Sequence, residues 1–233
     1  MLVRTGEVLC WVAGIALIVF YAGARTDAAV ARHSDVAAFE DARIQLASAA
    51  DPGHTESNTL ATRETPSSFE KIPEPDMSLW NQDRIDDYQA SLQVPVGLPQ
   101  AVLAIPKLGL TVPVYEGTNA LVLNRGVGHI VGTPEAGDAG NFGIAGHRDG
   151  YFRGLKDIKV GDSIEVQTLT DILTYTITDV FIVDKDDNSP LAPTETPTIT
   201  LVTCYPFYFV GHAPERYIVW GELVEKSADR SSS

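Results

Sequence analysis

Cysteine is nearly absent from this chain. The 233 residues hold two, Cys10 and Cys204. Cys10 falls inside an apolar N-terminal run, so Cys204 has no partner in the folded part and a disulfide framework is excluded. A lone thiol of this kind is either a buried, inert side chain or a reactive one. Free cysteine is among the most buried residue types, so local context has to decide. Positive charge is also short: 17 Lys+Arg stand against 31 Asp+Glu, a formal net charge of −14. That balance repels nucleic acid and anionic lipid headgroups, and neither is expected as a partner. The chain shows no internal repeats.

What is present begins with one uncharged apolar run, Val8 to Ala24. Its 17 residues sit at the short end of the roughly 17–25 that span a bilayer, and no polar face interrupts them. A cleaved signal peptide is the competing reading. Ala22-Gly23-Ala24 resembles an A-x-A cleavage site, and Arg4 gives a thin positive leader. The run exceeds the roughly 7–15 residues of a signal core, so residues 1–25 read as an uncleaved membrane anchor. The rest of the chain is then exported. Residues 26–77 are rich in Ala, Ser, Thr, Glu, Asp and Pro and read as a flexible stalk, with a possible helix from Val30 to Ala50. Residues 78–93 read as a helix lying on the following domain. Ser78 would be its cap, and Trp80, Ile85, Tyr88 and Leu92 fall close to helical spacing.

From Val94 the texture changes to short apolar runs between Gly, Pro and Asp turns. The predicted strands are Ala101–Ile105, Leu110–Tyr115, Val127–Ile130, Asn141–Ala145, Ser163–Gln167, Leu173–Val183, Ile199–Cys204 and Arg216–Leu223. Eight short strands point to a mainly β domain over 94–226, a closed barrel or a sandwich. Residues 227–233 read as a disordered tail.

The chemistry starts from Cys204. A β-branched run, Ile199 to Thr203, ends in the cysteine, and Tyr205-Pro206 stops the strand. The thiol is therefore displayed at a strand terminus. An 11-residue loop, Tyr205 to Glu215, follows before the next strand opens with Arg216. If the two strands form a hairpin, Cys204 and Arg216 face each other at its mouth. A guanidinium beside a thiol favours the thiolate and stabilises a developing oxyanion. A thiolate nucleophile also needs a proton shuttle, usually histidine. Of the five histidines, His33 and His54 lie in the stalk, His129 follows a Gly-rich turn and reads as structural, and His212 sits in a loop that holds a side chain poorly. His147 ends the small-residue run Asn141-Phe142-Gly143-Ile144-Ala145-Gly146, which lets a neighbouring backbone approach. Asp149 either orients its ring or caps the next turn. Taken alone, His147 is more simply a satisfied structural histidine. With Cys204 and Arg216, each at a strand end, the catalytic reading prevails.

These residues resemble the sortase family. Thr-Leu-Val-Thr-Cys, with Gly-His-Arg-Asp upstream and Arg a dozen residues downstream, looks like the sortase signature. The strings AIPKLGLTVPVYEG, LNRGVGHI, NFGIAGHRDGYFRGLKDI and TLVTCYPFYFVGHAPERYIVW are similar to class D-like sortases of Gram-negative, marine-type proteobacteria. The resemblance runs from about Trp80 to Val224. It implies an eight-stranded closed β-barrel with short helices, behind an N-terminal transmembrane helix in the cytoplasmic membrane and with the catalytic domain on its outer side. It implies that Cys204 attacks the Thr carbonyl of a Leu-Pro-x-Thr-Gly-like sorting signal on an exported protein. His147 would then protonate the departing glycine amine, and Arg216 would hold the oxyanion. Thr203 would help orient the substrate, and the thioacyl intermediate would pass to an amine acceptor in the envelope, or to water.

Two further signals stand beside this. Asp184, Asp186, Asn188 and Glu195 match positions 1, 3, 5 and 12 of a calcium loop, but Ser189 replaces the glycine at position 6 and no flanking helices are predicted. No cofactor is therefore expected, with calcium kept as an alternative. Phe207, Tyr208 and Phe209 form either local packing or an apolar wall for the leucine and proline of a substrate. Other functions stay open: a hydrolytic thiol peptidase, a peptidoglycan transpeptidase, or a non-catalytic tethered barrel that binds an envelope partner. The Gly-Cys-Ile/Val-Arg setting of L,D-transpeptidases is missing.

Overall fold

The computed structural model describes residues 11, 14, 15, 35–46, 74–78, 80–208 and 213–228. Nearly all of the apolar run Val8 to Ala24, and with it the expected anchor, lies outside the described residues. Among the described residues no helix is long and apolar enough to cross a membrane.

Eight strands close on themselves: β1 (Ala101–Ile105), β2 (Leu110–Glu116), β3 (Val127–His129), β4 (Asn141–Gly146), β5 (Ser163–Thr168), β6 (Asp171–Asp184), β7 (Thr198–Tyr205) and β8 (Glu215–Ala228). Around the barrel they run β1-β2-β3-β4-β7-β8-β6-β5, and β5 returns to β1. This is the barrel outcome, not the sandwich. Two neighbouring pairs are parallel, β2 with β3 and β4 with β7. The first pair is joined by a short crossover helix, α3 (Ala120–Arg125). Alternate residues of the strands fill the interior, among them Leu103, Val112, Phe142, Ile144, Leu173, Tyr175, Leu201 and Val219. β8 runs past Leu223, its predicted end, because Ser227 and Ala228 pair with Ile172 and Asp171 of β6. Backbone pairing there overrides a polar sequence.

Among the described residues from 35 to 100, two helices precede the barrel. Residues 35–46 form α1, inside the segment that reads as a stalk. It is laid on the outer face of β1: Phe39 is fully buried against Val102 and Ala104. That explains why β1, Ala-Val-Leu-Ala-Ile, is apolar on both faces and buried along its whole length. α2 (Gln82–Ser91) starts later than its sequence predicts. Asn81, not Ser78, caps it, with the Asn81 side chain accepting from Arg84 N at 2.8 Å. Asn is as good a cap as Ser, and the indole of Trp80 is held elsewhere by the Asp149 carbonyl.

Arg125 joins these pieces. Its side chain is 5% exposed and pairs with Asp35 of α1. The same guanidinium donates to the carbonyls of Ser91 and Leu92, both at 3.2 Å, and of Val94 at 3.3 Å, where α2 ends. Asp35 also accepts from the Tyr115 hydroxyl at 2.7 Å. Removing one member of a buried ion pair leaves the other charge desolvated. Arg125→Ala is therefore expected to cost about 3 kcal/mol or more, read by urea denaturation. A loss below about 1 kcal/mol, the worth of an exposed pair, would show that Arg125 does not anchor α1 and α2.

Candidate active site

Strand register brings the three candidate groups into one row. Cys204 of β7 lies directly opposite Arg216 of β8. On the other side of β7, Thr203 pairs with Gly146, the last residue of β4, so His147 emerges beside Cys204. The alternation of side chains sets the face. Phe142, Ile144, Ile199, Leu201 and Val219 point into the core. Cys204 and Arg216 have the opposite parity, so they stand on the outer surface of the barrel. Adjacent strands are ~4.8 Å apart, and side chains directly opposite have Cβ atoms roughly 4.5–5.5 Å apart. The row is therefore narrow enough for neighbouring groups to interact.

Cys204 is half-buried and carries a free thiol. Arg216 is fastened by Nη1, which donates to Glu215 O at 3.0 Å and Ala213 O at 3.3 Å. Both bonds use one nitrogen of the fork, and they fix its plane at the mouth of the loop. His147 is half-buried in the turn that follows β4, where Gly150 N donates to His147 O at 3.1 Å. Its imidazole is held below the usual histidine range, first by burial, then by the Arg84 cation, with the Asp149 carboxylate acting the other way. At neutral pH it is uncharged and able to accept a proton from a thiol. Asp149 directs its carboxylate to Arg84, at 3.6 Å. Arg148 ties the same turn to the start of the β7–β8 loop by donating to Pro206 O at 3.2 Å.

The small residues before His147 have a specific function in packing. A Cβ on Gly146 would come within 2.6 Å of the Phe152 ring, which is fully buried in the core. Gly146→Ala should therefore displace that ring or the His147 strand end. The expected cost is about 1–3 kcal/mol of stability, with a fall in kcat, read by thermal melting and a peptide-cleavage assay. Unchanged melting and rate would show that the close approach is unimportant.

The remaining predicted site residues separate. Thr203 is 2% exposed and its hydroxyl donates to Gly146 O at 2.8 Å. It points inward and ties β7 to β4, so it positions the strand end that carries His147; as a substrate contact it is corrected. Phe207 packs on the core, edge-on to Tyr217 at 5.1 Å and Tyr205 at 5.9 Å between ring centroids. Tyr208 is 67% exposed, with Arg153 above its ring at 5.8 Å. Phe209 and His212 lie outside the described residues.

The acidic loop after β6 is built as turns. Asp184 Oδ1 accepts from Asp186 N at 2.9 Å, Lys185 pairs with Asp186, and Asp187 Oδ1 accepts from Ser189 N at 2.8 Å. Asp184, Asp186 and Glu195 do not form a convergent ligand group. Among the described residues the group that does is Glu116, His129 and Glu135, whose ligand atoms lie within 4.8 Å of one another. His129 is buried there, with Nδ1 3.0 Å from Glu116 Oε2 and Nε2 3.1 Å from Thr133 O. It sits at the paired ends of β2 and β3, in keeping with the structural role read from the sequence. Arg84, which faces the His147 turn, escaped the sequence reading. Its only signal is its place four residues after Trp80.

Comparison with known proteins agrees with this geometry. A family model described as a sortase domain matches residues 103–224. Sortase D of Bacillus subtilis is 38% identical over 137 residues, which cover 58% of this chain and 69% of that protein. Among solved structures, sortase E1 of Streptomyces coelicolor, with a tripeptide in its active site, is 31% identical with a TM-score of 0.52. The match covers 58% of this chain and 93% of that one. A sortase D5 transpeptidase of Clostridium perfringens is 30% identical with a TM-score of 0.51, over 64% of this chain and 92% of that one.

Proposed function

This chain belongs to the sortase family, and on that footing we propose that it is a transpeptidase whose nucleophile is Cys204. The substrate is an exported protein with a Leu-Pro-x-Thr-Gly-like sorting signal, and the acceptor is an amine of the cell envelope. His147 takes the proton of the Cys204 thiol. The thiolate adds to the Thr carbonyl carbon, and the oxygen's negative charge is met by the Arg216 guanidinium. The C–N bond to glycine then breaks, and the proton on His147 passes to the departing amine. The acceptor amine next attacks the thioester carbonyl and gives its proton to His147. The C–S bond breaks, and the released thiolate takes the proton back from His147, which restores the starting thiol. Each step uses these three side chains, and none needs a cofactor.

One observation carries this reading: the register that lines up the end of β4, Cys204 of β7 and Arg216 of β8 on the outer face. The exposed Tyr208 ring supplies apolar surface near that row for the leucine and proline of the signal. In the same reading the run Val8 to Ala24 tethers the enzyme to the cytoplasmic membrane, with the barrel on its outer side.

The test is intact-mass spectrometry of the protein incubated with Leu-Pro-x-Thr-Gly peptides. The expected result is an acyl adduct ending at the threonine, mapped to Cys204, that disappears when an amine is added. An adduct on another residue, or none across a panel of sorting-signal peptides, would overturn the assignment.

A further inference from the structure

We propose that Trp80 and Arg84, which precede the barrel, are positioning residues of the active site: together they clamp the His147–Gly150 turn from outside and fix how the imidazole meets Cys204. This rests on the reading of His147 as the proton shuttle.

The clamp is a set of contacts on a turn that has little regular structure of its own. Trp80 Nε1 donates to the Asp149 carbonyl at 2.6 Å. Arg84 Nε lies 3.6 Å from Asp149 Oδ2. The Arg84 guanidinium covers the Trp80 ring at 4.2 Å from its centroid, so the two act as one unit. That unit is braced on both sides. Arg84 Nη1 donates to Asn124 Oδ1 on α3 at 2.5 Å, and Trp80 meets the buried Tyr88 edge-on at 5.4 Å. The Arg84 side chain is 19% exposed. A cation this enclosed acts on its neighbours with little screening.

The charged and titratable groups around His147 come from four elements. They are Arg84 from α2, Arg148 and Asp149 from its own turn, Cys204 from β7 and Arg216 from β8. Arg84 opposes a charge on the imidazole and Asp149 favours one. Because these two are paired, the seating of α2 decides the balance. With α2 lifted away, Asp149 acts alone and the ring holds its proton more firmly. The far end of α2 is held by Arg125, which also holds α1 through Asp35. A continuous line of contacts therefore joins the N-terminal helix to the catalytic turn.

The test uses the full chain and two readouts, the NMR titration of the His147 ring proton and the pH profile of kcat/KM with a Leu-Pro-x-Thr-Gly peptide. Arg84→Gln is expected to move the His147 midpoint to higher pH by about half a unit, and Asp149→Asn to move it to lower pH by a similar amount. Arg84→Lys keeps the charge and should stay near the wild-type midpoint. Trp80→Phe removes the indole donor but not the ring, and is expected to lower kcat by roughly ten- to a hundredfold with KM little changed. A merely structural contact would alter melting temperature and leave the midpoints in place. Midpoints that stay put in both Arg84→Gln and Asp149→Asn would overturn the clamp. The NMR titration does not depend on turnover, so it judges the clamp even if the peptide assay shows that His147 is not the shuttle.

Discussion

Cys204→Ala is expected to abolish transpeptidation, by about 10⁴-fold or more, while the barrel stays folded. Both halves follow from where the residue sits. Its parity on β7 places it on the outer face, half-buried, so loss of the sulfur opens no void in the core. Substitutions outside the core usually stay within about 0.5 kcal/mol. The chemical loss is near-complete because no thioester can form without the sulfur and the remaining groups offer no covalent route. Single-turnover assays, intact mass and thermal melting check both halves. Preserved turnover would move the nucleophile elsewhere. Collapse of the fold would mean that the sulfur is a packing group after all.

Arg216→Lys has the second-largest expected effect, a fall in kcat of roughly 10²–10³-fold with a smaller change in KM. Lysine keeps the charge but not the planar fork. In the native site Nη1 is engaged with the carbonyls of Ala213 and Glu215, on the strand position directly opposite Cys204. An ammonium cannot satisfy those carbonyls and also meet an oxyanion with the same geometry. The interaction matters most when the carbonyl oxygen becomes negative, so the loss belongs in kcat. A near wild-type rate in the lysine variant would remove Arg216 from the chemistry and leave it as a brace for the loop.

Much of this was legible from the chain. Short apolar runs between turn residues located all eight strands, and β1 matched to the residue. The facing of Cys204 and Arg216 was legible because a single loop joins the two strands that carry them, so a hairpin sets one opposite the other. What escaped depended on long-range contacts. The seat of α1 is invisible in its own composition, since it needs Val102 and Ala104 on β1 to cover Phe39. Thr203 was misjudged because adjacency to Cys204 in sequence puts it on the opposite face, where its hydroxyl meets Gly146. Arg84 was missed because its partner Asp149 lies 65 positions away, and pairing across the surface leaves no local pattern. Ser227 and Ala228 were read as tail because composition does not report a waiting partner strand, here β6.

The closure of the sheet limits how a peptide can be read. Each of the eight strands has a neighbour on either side, but the long strands overhang, with residues 179–184 of β6 and Cys204 and Tyr205 of β7 paired to β8 alone, so an incoming signal finds only short stretches of open ladder to join by strand addition. Most of the selection then falls to side chains and loops that grip the signal across the wall of the barrel. Altering peptide side chains should then matter more than masking the amides of its backbone, and a change of specificity is to be sought in the loops flanking β4 and β7, which can vary without disturbing the staves.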